Sequence, residues 1–229
     1  MDKSRILVVV AHPDDEILGC GATIRKCFEH GDSGDLYALV LAEGITSRKE
    51  QANQNESVNT LRSNAVKAAD IVGYKDIFFE NFPDNRMDWI DLLDIVHKIS
   101  EYVEDIKPRT IFTHHHGDLN VDHRQVYKAV ITSCRPMQSS CVKEIYSFQI
   151  PSSTEWNFPY YRNSFSPNVF VNVEDTIEKK ISAMACYESE RREPPHPRSS
   201  ESIRNVAAQW GSTVGLRYVE ALETVYRIC

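Results

Sequence analysis

Two short segments of this chain carry side chains that could do chemistry. AHPDDE at 11–16 contains His12 and Asp15, three positions apart, and a later loop contains His123. A catalytic zinc ion takes three protein ligands from histidine and carboxylate and keeps one position for water. If a helix begins at the turn after the first strand, His12 and Asp15 face one point and His123 can complete the set. Asp14 is then placed to take a proton from the bound water.

The acids also have a simpler interpretation, as the start of a helix. Asp14 or Asp15 could accept backbone N–H groups as an N-cap, and Glu16 suits a first turn, where the helix dipole favours negative charge. One carboxylate is enough for a cap, whereas three consecutive acids beside a buried strand repel one another unless a dication offsets their charge. The sequence therefore favours a metal site.

Apolar runs indicate which elements position these segments. Runs with the length of a strand lie at 5–10, 36–42, 77–79, 109–113 and 143–149, and helix-like stretches lie at 22–30, 56–72, 89–106 and 123–134. Strands that alternate with helices predict an α/β fold: a mostly parallel sheet in the Rossmann-like order 3-2-1-4-5, with helices on both faces. Ligands bind such a sheet where the strand order reverses, here between strands one and four. AHPDDE follows strand one and THHHGDLNVDHR (113–124) follows strand four, so both segments reach that crevice.

The last third of the chain is less regular. It is predicted to contain a loop at 151–167, a strand at 168–173, a helix near 174–190, a proline-rich turn at 193–198 and two short helices. We interpret this region as a C-terminal appendage that closes over the site, within a single domain that spans residues 1–229.

Composition limits the partners and the compartment. The 26 basic and 33 acidic residues give a net charge of −7, which argues against broad binding to nucleic acid or to an anionic membrane. No run approaches the roughly 20 apolar residues of a membrane helix, so we expect no membrane insertion. The six cysteines form no CxxC pair, and without an export signal they are predicted to be reduced thiols of a cytoplasmic protein. The sequence leaves the oligomeric state open.

AHPDDE after a first strand, followed by DH at 122–123, resembles the LmbE-like or PIG-L family of zinc-dependent N-deacetylases. The resemblance continues through FPDNRMD (82–88), GDLNVDHR (117–124), SPNVFVNV (166–173) and ESERREPPHPRSSESI (188–203), and so covers most of the chain. It implies that His12, Asp15 and His123 hold Zn²⁺, or another divalent ion, and that Asp14 is the general base. The implied substrate is a small N-acetylated amino sugar. The C-terminal segment is most similar to members that serve bacterial surface-polysaccharide synthesis, which implies a nucleotide-linked sugar.

The second motif departs from the family pattern. Many members read H-P-D-H there, and the first histidine stabilises the oxyanion or protonates the leaving amine; here Asn120 stands in its place. An asparagine can donate a hydrogen bond to an oxyanion but cannot be the acid. The acid is then either Asp14, after it has taken the water proton, or His196 from the C-terminal segment. We favour Asp14 as the proton shuttle and His196 as a contact to the substrate or oxyanion. Asp122 is expected to orient a histidine from behind.

The resemblance also suggests residues that hold the substrate. Arg62, Arg86 and Arg198 are candidate contacts to hydroxyl or phosphate groups, because guanidinium binds phosphate with two hydrogen bonds. Asp84 and Asn85 are candidate contacts to sugar hydroxyls. Each has a simpler alternative. Arg62 could be a surface helix charge, Arg86 could form a loop salt bridge, His196 could serve only packing, and Asn120 could only cap the next helix.

Neighbouring residues on a strand point to opposite sides, so at most one or two of His114, His115 and His116 can face the crevice. We exclude them from the metal site.

Three other functions compete with deacetylation. An amidase that cleaves a larger acyl group from an aminosugar conjugate is the nearest alternative. A nucleotide-binding oxidoreductase is suggested by Gly19, Gly21 and Glu43, but a third glycine is missing and the acids before the glycines suit pyrophosphate poorly. An inactive metal-binding module is suggested only by Asn120.

Overall fold

The computed structural model describes residues 4–31, 33–44, 54–158 and 164–229. Their strands are β1 (Ser4–Val10), β2 (Ser33–Ala42), β3 (Asp76–Phe82), β4 (Thr110–His114), β5 (Glu144–Phe148), β6 (Val169–Asn172) and β7 (Val219–Arg227). Their α-helices are α1 (Asp15–His30), α2 (Gln54–Val72), α3 (Leu92–Ile106), α4 (Val121–Ser133), α5 (Ile177–Met184) and α6 (Ser200–Thr213). No helix of these ranges is long and apolar enough to cross a lipid bilayer.

The strands form one sheet in the order β3-β2-β1-β4-β5-β7-β6. The first five are parallel, which confirms the predicted order 3-2-1-4-5. β1 lies at the centre and is covered on both faces: Val8 and Val10 pack in one core, and Leu7 and Val9 pack in the other. This is why its sequence is a continuous apolar run rather than an alternating one.

The C-terminal end differs from the prediction in one element. A single α-helix, α6, replaces the two predicted short helices, and β7 follows it as an antiparallel strand between β5 and β6. Its sequence VEALETVYR contains the good helix formers Glu, Ala and Leu. Pairing with strands on both sides outweighs that local preference. The predicted strand at 168–173 is confirmed as β6.

Helix α1 begins earlier than the predicted 22–30 and is broken at Cys20, where φ is −144° and ψ is 19°. The break frees backbone groups that two buried side chains satisfy. Glu220 accepts the N–H groups of Ala22 and Thr23, at 3.2 and 2.6 Å, and Lys180 Nζ donates to the carbonyl of Leu18 at 2.8 Å. The two side chains also pair with each other. Lys180 thereby fixes the end of the short first half of α1, which carries Asp15, and Glu220 fixes the start of the second half.

Candidate metal and active site

His12, Asp15 and His123 come together at the carboxyl ends of β1 and β4. Asp15 Oδ2 lies 3.3 Å from His12 Nδ1 and 3.2 Å from His123 Nε2, and the two nitrogens are 3.3 Å apart. Tetrahedral ligands at about 2.0–2.1 Å from zinc are about 3.3–3.4 Å from one another. The three donor atoms, two imidazole and one carboxylate, therefore fit three positions of a zinc site.

The turn after β1 explains why the two ligands face the same point. Asp14 adopts a left-handed conformation with φ of 103°, which lets α1 begin at the next residue. Asp15 Oδ2 accepts the N–H of His12 at 2.9 Å. The side chain of Asp14 makes no capping hydrogen bond, and its own N–H donates to Glu16 Oε2 at 3.0 Å. The simple N-cap interpretation of Asp14 and Asp15 therefore does not describe these side chains.

Two carboxylates lie close to the other ring nitrogen of His12, the one that does not face Asp15. Its Nε2 lies 3.0 Å from Asp122 Oδ2 and 3.3 Å from Asp84 Oδ1. Asp122 in turn accepts the N–H groups of Asn85 and Met87, at 2.6 and 2.9 Å. A carboxylate on the far nitrogen of a ligating histidine fixes the tautomer and ring orientation and makes the near nitrogen more basic. Asp84, expected as a sugar contact, is buried beside this histidine.

The far ring nitrogen of His123 also faces a carboxylate, and this contact was not predicted from the sequence. Asp118 Oδ1 lies 3.1 Å from His123 Nδ1. Asp118 also accepts hydrogen bonds from Ser153, from Thr154 at 2.6 Å and from the N–H of Asn120 at 2.8 Å. The available signal was its place in the loop between β4 and α4, five residues before the histidine.

The consecutive histidines 114–116 are not among the three proposed ligands, but His114 packs against one of these ligands. The ring of His114 stacks on that of His123, with centroids 3.9 Å apart, and its Nε2 accepts the N–H of Ala11 at 2.9 Å. Burial, with the charge of His123, holds the pKa of His114 well below its usual value. His115 Nδ1 accepts the N–H of Gly117, which closes the turn.

The electrostatics of the cluster favour a cation. Burial lowers the pKa of both ligand histidines, but nearby carboxylates outweigh it. They raise the pKa of His12 well above its usual value and that of His123 to about 9. Burial raises the pKa of Asp15, but the charge of His123 and hydrogen bonds from both histidines hold it well below its usual value. Protons on the histidines or a metal ion can supply the positive charge that these acids require.

A cleft of 160 Å³ opens beside the cluster. Its walls are formed by His12, Pro13, Asp14, Gly44, Asp84, Asn85, Asn120, His123, Ser152, Ser153, Glu190 and Arg198. Asp14 is 2% exposed, and its Oδ2 accepts a hydrogen bond from Arg198 Nη1 at 2.8 Å. Burial raises the pKa of Asp14 well above its usual value, although Arg198 opposes the shift.

Asn120 lies in the same cleft and caps α4. Its Oδ1 accepts the N–H of Asp122 at 2.8 Å, so the predicted capping role is present. Its Nδ2 donates to Asn85 Oδ1 at 3.0 Å. An amide nitrogen carries two hydrogens, so one remains for an oxyanion in the cleft.

Three other candidates lie outside the walls of this cleft. Arg62 donates to the carbonyl of Glu80 at 2.9 Å and to Asn81 Oδ1 at 2.7 Å, so its guanidinium is bound to β3. Arg86 is exposed and its guanidinium lies over the ring of Trp89. His196 Nδ1 accepts the N–H of Arg198 at 3.1 Å.

Comparison with known proteins identifies the family and relatives of this chain. A family model described as PIG-L, GlcNAc-PI de-N-acetylase, matches residues 7–134. The uncharacterized deacetylase YaiS of Escherichia coli (strain K12) is 28% identical over 193 residues, covering 82% of this chain and 92% of the relative.

Two solved structures share the fold. N,N'-diacetylchitobiose deacetylase from Pyrococcus horikoshii, complexed with its inhibitor MPG, has a TM-score of 0.79 at 19% identity and covers 98% of this chain and 85% of that one. GalB, the 4-carboxy-2-hydroxymuconate hydratase from Pseudomonas putida KT2440, has a TM-score of 0.77 at 21% identity, with coverage of 99% and 98%. At these identities the likeness concerns the fold alone.

Proposed function

This chain belongs to the PIG-L family of de-N-acetylases, and we propose that it is a zinc-dependent hydrolase that removes the N-acetyl group from an amino sugar. The observation that carries the proposal is the set of three donor atoms of His12, Asp15 and His123, each 3.2–3.3 Å from the other two. The carboxylate of Asp14 lines the same cleft, where a hydrolytic reaction needs a base.

A zinc ion held by these residues would polarise the acetamide carbonyl and make a water molecule more acidic. Asp14 takes the proton of the attacking water, and hydroxide adds to the carbonyl carbon. The amide hydrogen of Asn120 donates to the oxyanion that forms. When the C–N bond breaks, Asp14 returns the proton to the leaving nitrogen, so the products are acetate and a free amine.

The residues behind the ligands keep this arrangement in place. Asp122 and Asp118 lie 3.0 and 3.1 Å from the far nitrogens of His12 and His123, an arrangement that would favour the ring orientations needed to bind the metal. His196 is proposed to contact the substrate from the rim of the cleft, because the residue after next, Arg198, lines it. Asn85 and the exposed Arg86 are proposed to contact sugar or carrier groups.

The proposal also concerns the group to which the sugar is linked. A nucleotide-linked sugar, a role in surface-polysaccharide synthesis and a cytoplasmic location are predictions that rest on the sequence. The solved Pyrococcus horikoshii structure is that of a diacetylchitobiose deacetylase, which makes an unlinked N-acetylated sugar an equally necessary test compound. The same fold carries a hydratase, so the fold does not select an amide; the family match and the 28% identity to YaiS support one.

The test is acetate release from a panel of N-acetylated sugars by the zinc-loaded protein. The panel pairs free sugars and diacetylchitobiose with nucleoside-diphosphate-linked sugars, and includes an N-butyryl version of each. Acetate release that disappears in Asp14→Asn is the expected result. Faster release of butyrate would favour the alternative amidase, and no release of either acid would overturn the proposed hydrolysis.

A further inference from the structure

The segment between α5 and α6 places one arginine against Asp14. Arg198 Nη1 lies 2.8 Å from Asp14 Oδ2 and 3.6 Å from Glu190 Oε2, and Arg198 Nε donates to Ser152 Oγ at 3.0 Å. The side chains of Asp14 and Arg198 are 3% and 20% exposed. Two of its three nitrogens, Nη1 and Nε, are thus directed at groups that form the walls of the cleft.

We propose that Arg198 is a positioning residue for the Asp14 carboxylate and not a contact to the substrate's phosphate or hydroxyl groups. This inference rests on the proposed deacetylase function. Arg198 was predicted from the sequence to contact the substrate, because guanidinium binds phosphate with two hydrogen bonds. Here its Nη1 already faces two carboxylates of the protein, Asp14 and Glu190.

The charges around Asp14 explain why it needs such a partner. The other acids that act on its carboxylate are Asp15, Glu16 and Glu190, and Arg198 is the cation that opposes them. Without that cation, repulsion from three neighbours favours turning the carboxylate away from them. Since Arg198 engages Oδ2, the other oxygen, Oδ1, is the one available to a water in the cleft.

The backbone on both sides of the contact is held firmly. The left-handed turn at Asp14 is secured by its N–H bond to Glu16, whose carboxylate also accepts the hydroxyl of Tyr187. Arg198 directly precedes Ser199, the N-cap of α6, whose hydroxyl accepts the N–H of Ser202 at 3.1 Å. The base and its partner are therefore fixed by different parts of the chain, and their ion pair joins the C-terminal segment to the turn after β1.

The experiment compares Arg198→Ala, Arg198→Lys and the control Arg204→Ala on the best substrate of the panel. Arg204 pairs with Glu178 on the surface. We expect Arg198→Ala to lower kcat at least tenfold, with KM within twofold and zinc content unchanged. Arg198→Lys should recover part of the loss, and Arg204→Ala should match the wild type. Melting temperatures identify any variant that is merely unfolded.

Substrate affinity in an inactive background separates positioning from binding. Asp14→Asn and Asp14→Asn/Arg198→Ala should bind the substrate with dissociation constants within twofold of each other by calorimetry. A tenfold weaker double variant, or a KM that rises tenfold in Arg198→Ala, would overturn the inference and return Arg198 to the substrate contacts while leaving the deacetylase function intact. A wild-type protein that releases no acetate overturns the proposed function, and this inference with it.

Discussion

The carboxylate of Asp122 lies 3.0 Å from Nε2 of His12, on the ring nitrogen opposite the one that faces Asp15. It is fully buried and held by two backbone N–H groups of the loop after β3. The contact therefore brings together three segments of the chain. His12 follows β1, Asp122 lies in α4 after β4, and the two N–H groups belong to the loop after β3.

Replacing Asp122 with Asn should weaken zinc binding without abolishing it. Loss of a carboxylate behind a ligating histidine typically costs 10–100-fold in metal affinity or activity, and we expect about that factor in competition with a chromogenic chelator. Asp88→Asn is the control, because Asp88 is an exposed acid of the loop after β3, the loop whose N–H groups bind Asp122. Equal zinc affinity of Asp122→Asn and the control would mean that this carboxylate does not tune the site.

Zinc binding should release protons at neutral pH. Burial disfavours charge on His123, but Asp15 and Asp118 outweigh it and raise its pKa to about 9. A zinc ligand must be a neutral imidazole, so at pH 7 this ring has to lose its proton, and zinc affinity should rise with pH until about 9. Calorimetry at pH 7 in two buffers of different ionisation enthalpy counts the protons. Binding without proton release would show that the histidine is already neutral.

Asn120 should reveal two separate roles. Asn120→Ser keeps an oxygen that can cap α4, so its free energy of unfolding should change by only a few tenths of a kcal/mol. It removes the amide donor, and loss of one oxyanion donor costs about 10²–10³ in kcat. Asn120→Ala should lose the same activity and a further ~1 kcal/mol of stability. Urea unfolding and steady-state kinetics measure both effects; full turnover in the serine variant would leave Asn120 as a cap alone.

The ion pair at the break in α1 should matter for stability. Lys180→Met leaves Glu220 buried without its cation, and breaking a buried pair in this way costs about 3–5 kcal/mol. Lys179→Met is the matched control, since Lys179 is the exposed neighbour on the same helix. Urea unfolding should separate the two variants clearly. Similar midpoints would contradict the interpretation of Glu220 and Lys180 as caps of the two half-helices.

The five parallel strands were predictable because each is a short apolar run, and β1 to β4 are each followed by a stretch with a helical pattern. Strand β7 was not predicted. VEALETVYR mixes the helix formers Glu, Ala and Leu with the strand formers Val, Thr and Tyr, so local preference does not decide its conformation. Its strand conformation depends on pairing with β5 and β6, which are distant in sequence.

The candidate site, too, was only partly predictable from the sequence. His12, Asp15 and His123 were predictable because they belong to the two segments that follow β1 and β4, which the topology brings to one crevice. The hydrogen-bond and ion-pair partners of the charged residues were not predictable. That Arg62 bonds to Glu80 and Asn81, that Arg198 bonds to Asp14, and that Asp118 backs a histidine all depend on loop geometry, which residue type and spacing do not specify.

The most direct test of the central claim is the zinc content of the purified, zinc-reconstituted chain, measured by elemental analysis alongside His12→Ala and Asp14→Asn. We expect about one ion per chain in the wild type, as for a single site with three protein ligands. Asp14→Asn should contain the same amount, because Asp14 is the proposed base and not a ligand, and His12→Ala should contain little. A wild type without zinc, or a His12→Ala variant with as much zinc as the wild type, would contradict the proposed site.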